Sequence, residues 1–535
     1  MKNIKAILLS SVIGISTLSM VSCTKDLAEI NKNPNSPEIV PSYTVFNGAN
    51  RYLMTYTRDG WWMARMSMPW MQYSAQNNYV EEDKYQYRDA QTNNGWIYLY
   101  RSANAFKDII LMCEDPETSG QMSGYGNLDN QIAASRIMLV YTFDNLITHF
   151  GSVPYWSYGQ RDNPNFQALE AEQYPLPVYA EEEEIYADLL KELKEAAAQL
   201  NTDEAVFNLS TNGDNIYGGI ASQWKKFANS LRLRIANRIK HVYPSAEAEI
   251  ADAIASGVFE SNADNAIHSF SSVNADSEGN PLWQTFYTGT PRTDFWPNRS
   301  FVQLLKGETD NFGFDPRLYK IAAPKGLTFG AYSSGYQDSD NMQDYIGVPN
   351  ALPSVETYYQ TATNINFFSK DILSSERGEV LMEYAEVEFI LSEINNWSQD
   401  HYENGVRANM ERIGVETSDI NAFIANLPVA NERNVLVQKY VTLFYNPDEG
   451  WNEYRRTGYP DTEILLMPGE TATRPHDGST YTFRPLQSGN VVATDLPARV
   501  RYPVTQQTLN GTNWRAASGK LSNGDQINSK LWFAK

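Results

Sequence analysis

Cysteine is almost missing from this chain: Cys23 and Cys113 are the only two among 535 residues. Two thiols cannot build a disulfide framework, so stability has to come from packing. Histidine is nearly as scarce, and His149, His241, His268, His401 and His476 are scattered with no paired metal spacing. A Walker loop, a dinucleotide glycine motif and a Gly-x-Ser-x-Gly elbow are all missing too, which argues against zinc, nucleotide and serine-hydrolase chemistry. Positive charge is in deficit, with 43 Lys and Arg against 64 Asp and Glu and a net charge of -21. Such a balance repels phosphate backbones and excludes nucleic acid as the expected partner. Beyond the N-terminus no apolar run reaches the roughly 18 residues that a spanning helix needs.

The N-terminus itself reads as an address. Lys2 and Lys5 precede an apolar stretch from Ala6 to Ser16, a pattern of signal-peptide length, and Val21 and Ser22 run straight into Cys23. This junction resembles a bacterial lipobox, in which the cysteine thiol receives diacylglycerol and becomes the mature N-terminus. The expectation is a signal peptide over 1–22, lipidation at Cys23, and a polar, proline-containing tether over 23–41. Acyl chains contribute about 0.8 kcal/mol per buried methylene, so several together hold a protein on a membrane without spanning it. Cys113, in "IILMCED", reads as a small buried apolar residue.

Apolar residues then recur at spacings of three and four. Ile132, Leu139, Val140, Phe143, Leu146, Ile147 and Phe150 share one face, as do Ile185, Leu189, Leu193, Ala196 and Leu200. The same period predicts helices through Trp224, Phe227, Leu231, Ile235 and Ile239, through Val387, Ile390, Leu391 and Ile394, and through Val437, Tyr440, Val441 and Phe444. Helix pairs joined by short turns suggest an α-solenoid core built like tetratricopeptide repeats. The expected organisation is one domain over 42–535. Its helical scaffold lies at about 42–270 and 375–460, and loop-rich parts lie at about 271–374 and 461–535. Irregular stretches of that length inside a folded protein usually carry function.

Aromatic residues are abundant at 13 percent, with 33 Tyr and 12 Trp, while charged residues reach only 20 percent. Such a surface suits an uncharged polar ligand. In "DGWWMARMSMPWMQYSAQNNY" the spacing of Trp61, Trp62 and Trp70 reads as core, and Tyr73 and Tyr79 follow. Trp283, Tyr287, Phe295 and Trp296 sit among Pro, Gly, Thr and Asn, where ligand contact and core packing fit equally well. Asp338, Asp340 and Asp344 read as a solvated turn, because Met342 takes a ligand position of the calcium-loop pattern. No metal or cofactor is expected.

Several segments together resemble the SusD/RagB family of Bacteroidetes outer-membrane nutrient-binding lipoproteins, in its divergent SusD-like branch. They are "CTKDLAEINKNPN" at 23–35, "HFGSVPYW" at 149–156, "IYGGIASQWKKFANSLRLRIANRI" at 216–239 and "FDPRL" at 314–318. Further on come "MEYAEVEFILSE" at 382–393, "YENGVRANM" at 402–410, "QKYVTLFYNPDEGWNEYRRTGYP" at 438–460 and "ARVRYPVTQQTLN" at 498–510. The resemblance implies a mainly α fold of tetratricopeptide-like helix pairs with a loop-rich, ligand-facing region. It also implies a lipid-anchored place on the outer membrane, exposed at the cell surface, to which Asp26 beside Lys25 is similar as an export signal. The implied partner is a SusC-type TonB-dependent β-barrel transporter, with this protein as its lid. The implied function is non-enzymatic capture of a nutrient, an oligosaccharide first, with an oligopeptide as the alternative and a surface glycoside hydrolase behind both. Chemistry and resemblance together put the ligand site at Trp283, Tyr287, Trp296 and Tyr79. Arg455, Arg456, Arg499 and Arg501 read as scaffold residues that pair with acids and helix ends.

Overall fold

The computed structural model describes residues 40–208, 213–289, 292–488 and 491–535. Cys23, the signal segment and all of the tether except its last two residues lie outside the described residues.

The first helix, α1 (Ser42–Thr57), starts directly after Pro41 and buries Phe46, Ala49, Asn50, Leu53 and Met54. That spacing turns Tyr52 and Tyr56, one helical turn apart, toward the outer side. Next comes α2 (Asp89–Glu114), which packs on α1 and buries Trp96, Leu99, Ala103, Phe106, Ile110 and Cys113. Its interior Gly95 has a specific reason, because a Cβ there would lie 1.9 Å from the Trp62 ring. Helix α3 (Leu128–Phe150) is capped by Asn127, whose side chain accepts from the Asn130 N–H, and it is buried along almost its whole length. It packs between α2 and α4 (Glu182–Gln199); α4 leans on α5 (Ala221–Arg238), and α5 on α6 (Ala246–Ala255).

After the short helix α7 (Pro281–Tyr287), a second helical group follows: α8 (Tyr384–Ile394), α9 (Gln399–Arg412), α10 (Thr417–Ile424), α11 (Glu432–Thr442) and α12 (Pro447–Thr457). Helix α8 packs on α9 and α11, and α5 touches both α8 and α12, so α5 joins the two groups. Five of these helices, α3, α4, α5, α8 and α11, occupy the segments that apolar periodicity marks out, and successive pairs pack side by side as expected of helical repeats. No helix among the described residues is long and apolar enough to cross a membrane.

Charge is buried where the groups meet. Arg238 of α5 bonds Asp144 of α3 at 2.5 Å and Glu449 of α12 at 2.8 Å, and Arg234 bonds Glu386 of α8. Arg58 pairs with Asp448 at 2.7 Å, and Arg456 with both Glu453 and Glu393. Such pairs add little net stability over apolar contacts, but losing one partner costs about 3 to 5 kcal/mol. Arg456, Arg455 and Arg499 are therefore scaffold: Arg455 donates to the carbonyls of Thr148 and Ala498, and Arg499 to that of Phe150 and to Asp525.

The irregular region is less open than its composition implies. It contributes β3 (Phe295–Pro297), which pairs antiparallel with β1 (Ser74–Gln76) and sets Gln76 opposite Phe295. A second ribbon joins β2 (Ala266–His268) to β4 (Glu379–Met382), and a third, β5 (Thr471–Thr473) to β6 (Thr480–Thr482). Phe286, Phe295, Trp296, Phe301, Tyr332, Phe367 and Phe368 are all buried here.

Candidate functional site: an aromatic platform beside α1 and α2

Where α1 ends, the chain turns through Asp59 and Gly60. The Asp59 carboxylate accepts from the backbone N–H groups of Trp61 at 2.8 Å and Trp62 at 2.7 Å, a local turn of the kind aspartate favours. Burial pushes this carboxyl up to about 6, against the lowering effect of the two N–H donors. The turn sends the two adjacent indoles in opposite directions. Trp62 goes inward, only 3% exposed, over Gly95 and against His149. Trp61 goes outward and is 46% exposed. Gly60 allows α7 to approach, since a Cβ there would meet Thr285 at 2.6 Å.

Two guanidinium groups stand over the exposed indole, Arg65 at 4.4 Å and Arg292 at 5.1 Å from its centroid. Both also stand over Tyr79, at 5.8 and 5.7 Å, and Tyr79 is itself exposed. The β1/β3 ribbon brings this about, because Tyr79 follows one strand and Arg292 precedes the other. Arg65 is held by Glu82 and Arg292 by Asp294, and Asn78 donates to Asp294 while accepting from Gln360.

Trp61 also borders a hollow of about 260 Å³, which it lines together with Tyr56, Asp59, Trp62, Gln91, Asn94 and Tyr98. Tyr56 and Tyr98 stack with centroids 4.3 Å apart, and Tyr52 joins Tyr56 at 4.6 Å. The result is a run of rings from Tyr52 to Tyr79, interrupted by amides and guanidinium groups. Flat apolar faces bordered by hydrogen-bonding groups suit a ligand that has both C–H faces and hydroxyls.

The residues singled out in the sequence are distributed unevenly. Tyr79 stands on the platform. Trp283 and Tyr287 stack on each other at 5.4 Å on α7, half-buried, with Tyr287 also reaching Phe329. They lie on the helix whose Thr285 meets Gly60, but each is two positions from Thr285 and so points away from that contact, and neither lines the Trp61 hollow. Trp296 is corrected: it is 2% exposed, lies in β3 opposite Ala75 and packs on Phe367 at 4.5 Å, so its ring faces serve the core and are closed to a ligand. Trp61 is the converse, an expected core ring that faces out, whereas Trp62 and Trp70 are buried. The signal for Trp61 was present in the Asp-Gly pair before it, a turn signal that breaks helical periodicity. Tyr52, Tyr56 and Tyr98 could have been found as the aromatic residues left over on the outer faces of α1 and α2.

Among the described residues there is no cluster of three metal-ligating side chains. Cys113 is buried, and desolvation pushes its thiol up to about 12.

Paired helical repeats that present a run of surface rings form an architecture suited to binding. The family is shown by sequence: the model described as "Starch-binding associating with outer membrane" matches residues 34–476, and that described as "Susd and RagB outer membrane lipoprotein" matches 429–534. The chain belongs to this SusD-like family of outer-membrane lipoproteins, whose members bind rather than catalyse. Solved structures agree on the fold. A chitin-binding protein is 24% identical over 91% of this chain and 100% of its own, with a TM-score of 0.69. A SusD homologue from Bacteroides uniformis is 22% identical over 92% and 99%, at 0.68. One from Parabacteroides distasonis is 20% identical over 92% and 98%, at 0.69. Among curated proteins none matches.

Proposed function

We propose that the protein captures an oligosaccharide on the Trp61 platform at the cell surface and passes it to a SusC-type TonB-dependent β-barrel transporter, over which it acts as a lid. The observation that carries this reading is the exposed Trp61 indole, which meets both the Tyr56/Tyr98 hollow and the Arg292/Tyr79 pair. A sugar ring stacks its C–H face on an indole, while Gln91 and Asn94, which line the hollow with Trp61, offer amide donors and acceptors. A flexible peptide would gain less from a flat row of rings bordered by amides, which is why saccharide is preferred over oligopeptide. The chitin-binding protein that shares this fold supports the same ligand class. No residue is assigned a catalytic role. Trp283 and Tyr287 remain part of the proposal as a separate, half-buried aromatic pair on α7, apart from the Trp61 platform.

Calorimetry with a panel of neutral oligosaccharides and a matched panel of peptides tests the reading. Saccharide binding that weakens with Trp61→Ala and Tyr98→Ala supports it. Peptide binding without saccharide binding overturns the ligand class. Co-purification with a β-barrel transporter from the native membrane tests the partner, and a contact of this kind should bury on the order of 2,000 Å² or more.

A further inference from the structure

A second cleft, of about 550 Å³, lies at the opposite end of the β1/β3 ribbon from Tyr79. Immediately after β3 come Asn298 and Arg299, and the cleft is enclosed by Arg299, Asn350, Tyr481 and the β5 strand. Its chemistry differs from that of the aromatic platform. Arg299 makes no ion pair among the described residues; its Nη1 donates to the Ile346 carbonyl, at a long 3.4 Å. Two acids, Glu463 and Glu470, line the cleft with it, and of these only Glu463 has a cationic partner among the described residues. Glu463 is bonded to Arg433 at 2.8 Å, Glu308 to Lys306 at 2.6 Å, and Glu470 accepts from the Met467 N–H at 2.8 Å. Burial lowers the Arg299 guanidinium from its usual range, and Glu308, Tyr359 and Tyr481 only partly offset this. In a chain of net charge -21, a half-buried cation without a carboxylate partner is an unusual residue to keep.

The wall beside it holds an unused donor. Asn350 is 3% exposed, and its Nδ2 has no hydrogen-bond partner. Its orientation is set by a chain of contacts. Asn298 accepts from the Ser300 N–H through Oδ1, so its Nδ2 faces Asn350 and donates to Asn350 Oδ1 at 3.3 Å. The Nδ2 of Asn350 is thereby the atom left over, and a buried donor without a partner costs about 1 to 3 kcal/mol unless something supplies an acceptor. Pro349, Ile464 and Leu466 give the same cleft an apolar side, and Ser300 and Thr473 give it hydroxyls.

We propose that this cleft is a second saccharide site that takes a hexuronic acid residue, with its carboxylate on the Arg299 guanidinium and its ring face on the apolar side. A planar guanidinium fork matches a carboxylate through two parallel hydrogen bonds, and the pairing strengthens where water is partly excluded. This goes beyond capture at Trp61, because neither site needs the other.

The test uses the full-length protein and calorimetry at low ionic strength with four probes: trigalacturonate, its fully methyl-esterified form, a neutral trisaccharide and a tripeptide of acidic residues. Trigalacturonate should bind at least tenfold more tightly than its ester, and this preference should shrink with added salt. It should vanish in Arg299→Gln and survive in Trp61→Ala. Equal binding of acid and ester, no binding of the acid, or a preference that persists in Arg299→Gln overturns the proposal. An acidic peptide that binds as tightly as the uronate overturns the saccharide assignment. The ester comparison alters only the ligand, so it decides the matter even if Arg299→Gln fails to fold. Failure of the platform reading is seen separately, as neutral-saccharide binding that is indifferent to Trp61→Ala.

Discussion

Trp61 and Trp62 are chemically identical neighbours placed in opposite environments, and truncating each in turn separates binding from folding. The Trp61 ring is 46% exposed. With about 250 Å² for a tryptophan, on the order of 100 Å² is free for a ligand to cover. At about 25 cal/mol per Å² that area corresponds to about 2.5 kcal/mol. Some of it is lost in ordering the sugar, which leaves about 2 kcal/mol, a roughly thirtyfold weakening of the dissociation constant in Trp61→Ala. The cost to folding should be lower than for a core ring, because the ring's partners are two guanidinium groups, Arg292, worth about 0.5 to 1 kcal/mol at a partly exposed site, and Arg65, which is buried and worth about 2 kcal/mol. Trp62→Ala should behave oppositely, since it empties a buried site against Gly95 and should cost about 3 to 5 kcal/mol of stability. Calorimetry with a saccharide that the unaltered protein binds, paired with thermal melting, reads both. A dissociation constant within threefold of the unaltered value in Trp61→Ala refutes the placement of the site. A melting loss in Trp61→Ala equal to that in Trp62→Ala refutes the account of the turn.

Acid should attack the buried ion pairs first. Burial raises the Glu393 carboxyl, but Arg456, bonded to both of its oxygens, overrides this and holds it at about 2. Because that is below the ordinary value, the stability it contributes is complete above about pH 4.5 and is lost as pH falls toward 2, a loss that melting curves of Glu393→Gln should not show. Asp59 has the opposite sign. Its carboxyl is raised to about 6, so it penalises the fold above that pH and the penalty fades as pH falls from 6 to about 4. Asp59→Asn keeps an oxygen for the Trp61 and Trp62 N–H groups and should raise the melting temperature at pH 7, by an amount on the order of 1 to 3 kcal/mol in stability. The Cys113 thiol, raised to about 12 and buried, should resist thiol reagents in the native protein and react only in denaturant, which a colorimetric thiol assay follows.

Helices with a continuous apolar face were legible in the sequence. Those of α3, α4 and α5 fall within a few residues of where the three-and-four spacing puts them. Helix α2 was not, because Asn93, Asn94 and Gly95 interrupt its pattern, and the reason for Gly95 is the Trp62 ring, which is remote in sequence. The aromatic residues show the limit more sharply. Local texture around Trp296, rich in Pro, Thr and Asn, suggests exposure, yet pairing with β1 and the Phe367 ring enclose it. Local texture around Trp61 suggests core, yet one carboxylate turns it outward. Composition identifies which residues are able to stack on a ligand; only long-range partners decide which of them are free to do so.

The ion pairs of α5 bear on how a ligand is received. Arg234 and Arg238 tie α3, α8 and α12 together through charges that are costly to separate, so the two helical groups are riveted rather than hinged. The rings beside α1 and α2 therefore stand on a stiff chassis, already in position before any sugar arrives. Binding should proceed with little ordering of the protein, and under the proposed lid role any opening would be a swing of the whole body and not a bend within it.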